Sequence, residues 1–122
     1  MATAPVALKT KMTKQLRETQ IVTAIEEAQD KIDGIEGSEG WVAVAHASES
    51  EGWDWSAISF YYSPSARRYF WYSDGGCSCN WHMDGTTYAA DFFDGDRQAA
   101  IEAAKDWGTK CEAEVRDFKP EQ

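Results

Sequence analysis

The sequence predicts an α+β fold, a small antiparallel sheet with N- and C-terminal helices packed on one of its faces. Three observations lead there. Apolar residues recur at helical spacing near each end of the 122-residue chain, and a run of alternating aromatic residues interrupted by a Pro-containing turn lies between them. A chain of this length fits a single domain over residues 1–122, with residues 1–12 as a flexible basic arm.

In the first segment Ile21, Ile25, Ala28, Ile32 and Ile35 are spaced 4, 3, 4 and 3, which predicts a helix from Thr13 to Asp33 stopped at Gly34. "GIEGSEG" reads as a loop, and "WVAVAHA" as a strand of small and β-branched residues. Simple alternation puts His46 on the same face as Val42 and Val44, as a strand residue with ordinary hydrogen bonds. "WDWSAISFYY", the turn "SPSA" and "RRYFWYS" form the clearest hairpin. Ile58, Phe60 and Tyr62 share one face, with Phe70 and Tyr72 expected to meet them. Trp53, Trp55 and Tyr61 share the other, joined by Tyr69 and Trp71. The last helix is expected to be capped by Asp94 or Asp96 and to carry the stripe Ile101, Ala104, Gly108, Cys111, Val115 and Phe118, with Trp107 beside it.

The net charge of −9 is unevenly placed. Residues 1–20 carry a net +3, so the remainder carries −12, and residues 69–96 hold five aspartates with no Lys or Arg. Such a surface repels phosphate backbones, which disfavours direct nucleic-acid binding and suits a basic protein partner. No run of 18 apolar residues is present and the start lacks an apolar signal block, so a cytoplasmic protein without a membrane span is expected. Three cysteines fit reduced thiols in that compartment.

The stretch "YSDGGCSCNWHMDG" concentrates chemistry-bearing side chains. Cys77, Cys79 and His82 are donors suited to zinc, with Cys111 or His46 as a fourth ligand, although C-x-C is tighter than the common zinc spacings. A thiol nucleophile paired with His82 is a second reading, opposed by Asp74 and Asp84, whose charges disfavour a thiolate. The favoured reading is structural: Asp74-Gly75 and Asp84-Gly85 make turns, and the small thiols pack under Trp71 and Trp81. No cofactor is expected; zinc is the ion the motif would take if it took one.

The series "FWYSDGGCSCNW", "AADFFDGD" and "RQAAIEAAKDW" resembles a family of small proteins of unknown function encoded by bacteriophages of actinobacteria. The likeness spans residues 53–107, and the D-G-G-C-S-C turn is its most specific part. Asn80, Trp81 and His82 stand where that family would have Pro and Phe after the second cysteine. The resemblance implies a phage origin and the cytoplasm of an infected bacterium, and it carries over no catalytic residue.

These readings together predict a small acidic, non-enzymatic protein that binds and modulates a host protein. Trp53, Trp55, Tyr61, Tyr69, Trp71 and Trp81 are the expected partner-binding residues. The alternatives are a zinc- or thiol-dependent protein using Cys77, Cys79 and His82, a nucleic-acid mimic that inhibits by its charge, and a Trp-lined site for a sugar. A homodimer through the aromatic hairpin is a further expectation. An enzyme ranks last, because no paired-acid, phosphate-loop or triad pattern is identifiable.

Overall fold

The computed structural model describes residues 24–84 and 87–120. The basic arm over residues 1–12 and the part of the expected first helix before residue 24 lie outside the described residues. Within them a helix, α1, covers residues 24–32. Strands β1 (Val42–Glu51), β2 (Asp54–Ser63) and β3 (Arg68–Gly76) follow, then a 3₁₀ turn at Ala89–Asp91, strand β4 (Phe93–Gly95), and helices α2 (Arg97–Lys105) and α3 (Thr109–Asp117). The strands form one antiparallel sheet in the order β1-β2-β3-β4. The α+β class and the terminal placement of the helices are as the sequence predicts. No helix among the described residues is long and apolar enough to cross a membrane.

The helices do not share a face of the sheet. Ile58, Phe60, Tyr62 and Tyr69 pack with Ala100, Ile101, Ala104, Cys111 and Val115 from α2 and α3. Tyr61 points the other way and packs with Ala28 and Ile32 of α1, and with Trp41, Met83 and Phe92. The aromatic residues on both faces of the hairpin account for this, because each face needs its own cover once strand alternation has divided them. Full burial of a side chain such as Phe60 stabilises by about 1.5–3 kcal/mol, so neither face can be left open cheaply.

The pairing of β2 with β3 reverses the expected partners. Phe60 lies opposite Trp71, Tyr62 opposite Tyr69, and Tyr61 opposite Phe70. Tyr69 and Trp71 therefore join Phe60, while Phe70 and Tyr72 join Tyr61. The connection sets this register. Ser63 pairs with Arg68 across it, Arg67 donates its N–H to the Ser63 carbonyl at 2.8 Å, and Arg67 takes a φ of 55° to close the loop. A one-residue difference in register exchanges the faces of a whole strand.

A bulge does the same to β1. Ala43 pairs with Tyr61 and Ala45 with Phe60, which leaves Val44 as an extra residue. Val44 thus turns towards α2 and α3, while His46, opposite Ser59, turns towards α1. Gln29 of α1 secures this irregular edge, donating to the Trp41 carbonyl at 2.9 Å and accepting from the Ala43 N–H at 2.8 Å.

The expected last helix is two helices. Asp96 caps α2 by accepting the Ala99 N–H at 2.9 Å, and the chain breaks at Gly108, whose φ of 108° suits a residue without Cβ. The apolar stripe continues across the break because α3 packs the same way, through Cys111 and Val115. Asp94, the other expected cap, lies instead in the short strand Phe93–Gly95. That strand pairs with Tyr69–Trp71, helped by an Arg68–Asp94 ion pair at 2.7 Å.

Candidate functional site

β3 does not end at Asp74-Gly75. It continues to Gly76, with Ala57 opposite Asp74 and Ser56 opposite Gly75. Gly75 serves close approach rather than a turn, since a Cβ there would lie 2.8 Å from the Trp55 carbonyl oxygen. Asp74 is thereby held in the strand, on the face that carries Ser59. The tight turn comes afterwards. The Cys77 carbonyl accepts the Asn80 N–H at 3.2 Å and the Trp55 indole N–H at 2.8 Å, and Asn80 Oδ1 accepts the Cys77 N–H at 3.0 Å. Asn80 fits because Gly76 has no side chain; a Cβ there would meet the amide oxygen at 2.2 Å.

The turn delivers His82 into the sheet, where it is 7% exposed. His82 Nδ1 donates to Asp74 Oδ1, and the other carboxylate oxygen accepts the Met83 N–H at 2.9 Å. His82 Nε2 lies 2.9 Å from Ser59 Oγ, and Ser59 Oγ lies 2.8 Å from His46 Nδ1. Four side chains from β1, β2, β3 and the following turn thus form one chain of hydrogen bonds.

Proton counting orients this relay. The Asp74 carboxylate can only accept, so His82 carries its hydrogen on Nδ1 and presents a lone pair at Nε2. Ser59 must donate its single hydrogen to that lone pair, which obliges its oxygen to accept from His46 Nδ1–H. His46 Nε2 is then an unprotonated acceptor, with no hydrogen-bond partner among the described residues. The surroundings favour the neutral form of both rings. Burial, then the neighbouring His82, Lys31 and Lys110, push His46 down to about 4. His82 is also lowered, because burial outweighs the opposing hydrogen bond and charge of Asp74.

The order Asp74, His82, Ser59 is that of a hydrolytic triad, but Ser59 is not placed as a nucleophile. It is 0% exposed, and its oxygen is held between two imidazoles, which leaves no approach for an electrophile. What the relay does chemically is fix one tautomer of His46. Ser59 and Asp74 were not among the expected site residues. The signal available was a serine on the Tyr61 face of an aromatic strand, since a buried hydroxyl must find a partner.

Acid should weaken this arrangement. A histidine held below its ordinary 6.5 makes the unfolded chain the better proton binder, so stability is complete above that value and falls as pH drops towards about 4. After allowance for its partly exposed ring, His46 should account for about 2 kcal/mol of that loss. Urea unfolding between about pH 7 and about pH 4 should therefore show a steeper loss for the natural chain than for His46→Asn. Equal slopes would contradict the assignment. Glu114, whose carboxyl burial raises, acts in the opposite sense in both proteins and cancels in the difference.

The expected zinc set is not assembled. Cys77 and Cys79 are exposed, Cys111 is buried among α2 and α3, and both His82 nitrogens are already bonded. Among the described residues, no three His, Cys, Asp or Glu side chains converge to hold a metal ion. Nor do the thiols of the turn pack under indoles. Trp71 faces α2 and α3 across the sheet, and Trp81 is 61% exposed. Cys77 is lowered by a hydrogen bond from the Cys79 thiol, which is itself raised, and burial pushes Cys111 up to about 12.

Of the expected partner-binding residues, Tyr61 and Tyr69 are core residues, the first sealed by α1 and the second by α2 and α3. Trp71 packs half-buried against the same cluster as Tyr69. Trp55 is half-buried, while Trp53 and Trp81 are exposed. Trp55 and Trp81 line a cleft beside α1, together with Glu27, Lys31, His46 and Asn80. Comparison with protein-family models, with curated proteins and with solved structures gives no match.

Proposed function

We propose that the protein is a non-enzymatic binding protein that engages a basic partner protein through the end of the sheet where the β1–β2 turn meets the Cys77–Asn80 turn. The observation that carries this reading is the pair of exposed indoles there, Trp53 at 79% and Trp81 at 61% exposure, beside exposed Glu49, Glu51 and Asp54. Indoles supply binding energy once desolvated, and the carboxylates steer a basic surface towards them. The resemblance to actinobacteriophage proteins supports a host protein as the partner and the infected cell's cytoplasm as the place of action.

The test is capture of a partner from an actinobacterial lysate by the natural chain and by Trp53→Ala and Trp81→Ala. Both substitutions should change stability by no more than about 0.5 kcal/mol, because the rings are exposed. Each should weaken capture of a basic protein by roughly 2 kcal/mol, and moderate salt should weaken it further. Capture that is indifferent to both indoles and to salt would overturn the proposal.

A further inference from the structure

The cleft beside α1 has a volume of about 340 Å³, at the small end of the range for ligand sites, which suits a molecule of one or two rings. Its walls are the indoles of Trp55 and Trp81 and the methyl groups of Ala24, Ala28 and Ala57, surfaces that favour a flat apolar body. Two polar groups within it have defined roles. His46 Nε2 is an acceptor, because the relay behind it has placed the ring hydrogen on Nδ1. Lys31 Nζ is a donor, anchored by one hydrogen bond to the His82 carbonyl at 3.0 Å and retaining two further hydrogens.

Charge decides the class of ligand. An anion would suit Lys31 but would face the Glu27 carboxylate and the bare His46 lone pair. A cation would suit those two but would meet the Lys31 ammonium. A neutral molecule with a donor and an acceptor side by side satisfies both poles. We propose that this cleft binds a flat, uncharged ring bearing an N–H next to a C=O, the N–H donating to His46 Nε2 and the C=O accepting from Lys31 Nζ. The site is separate in kind from the protein-binding surface, although Trp81 borders both, and it stands or falls without a protein partner.

The experiment titrates the purified full chain with uracil and with nicotinamide, following tryptophan fluorescence and the ring signals of His46. At least one should bind saturably at millimolar concentration or below and shift His46. 1,3-Dimethyluracil, which keeps the carbonyls but has no N–H, should bind at least about tenfold more weakly than uracil. Lys31→Met, which keeps the four relay side chains but removes the bond to the His82 carbonyl, should weaken the bound probe by about tenfold as well. Saturable binding by neither probe would overturn the proposal. So would dimethyluracil binding as well as uracil, or full binding to Lys31→Met, since either result would reduce the cleft to an apolar slot.

Discussion

Replacement of Asp74 by Ala should destabilise the fold by about 3 kcal/mol, whereas replacement by Asn should cost only about 1 kcal/mol. Alanine strands two buried donors, the His82 Nδ1–H and the Met83 N–H, both of which the carboxylate accepts. Asparagine can still accept from Met83 through its oxygen, and it can donate its amide to His82 Nδ1 if that ring moves its hydrogen to Nε2. His82 would then donate to Ser59, and Ser59 to His46 Nδ1, leaving the hydrogen of His46 on Nε2. Asp74→Asn thus keeps the chain of hydrogen bonds and reverses it. Chemical denaturation of the three proteins measures the stability part. Equal losses for the two variants would show that Asp74 acts by charge or packing alone.

Phe60→Ala should cost about 4 kcal/mol, the largest single loss expected from this structure. Its ring is fully buried between the strands and α2, and lies 5.8 Å from the ring of Trp71. It shares this core with Ile58, Tyr62, Ile101 and Val115, all buried, so its removal leaves a cavity inside a packed cluster. Tyr61→Phe, one residue along, should cost about 1 kcal/mol instead. It keeps the ring under α1 and loses the hydroxyl's bond to the Ala28 carbonyl at 2.8 Å, together with its weaker contact to Met83 Sδ at 3.8 Å. Denaturant midpoints give both values. A loss for Phe60→Ala no greater than for Tyr61→Phe would mean that α2 and α3 do not close that face.

The hairpin and the helical stripes were legible in the sequence because periodicity reports which residues lie inside. It does not report which way a neighbouring strand is turned. The face of Tyr69 and Trp71 depended on how Ser63 and Arg68 meet across the connection, and that of His46 on a bulge at Val44 that has no distinctive residue. Asp74-Gly75 has the look of a turn, and only the proximity of the Trp55 carbonyl reveals why a glycine is needed within a strand. The break between Lys105 and Thr109, with Gly108 opening the second helix, leaves the apolar stripe in phase, so spacing alone merges α2 with α3. The candidate site followed these limits. The motif around Cys77 and Cys79 drew attention to its thiols, which the structure leaves exposed, whereas the organised chemistry lies in His82 with three residues from three strands.

The most direct measurement is the nitrogen-15 NMR spectrum of the imidazole rings at neutral pH, recorded for the natural chain and for Asp74→Asn. In the natural chain, His46 and His82 should each show a protonated Nδ1 and an unprotonated Nε2. In Asp74→Asn both rings should carry the hydrogen on Nε2. A natural chain in which His46 is protonated at Nε2, or at both nitrogens, would contradict the relay and the acceptor it presents to the cleft.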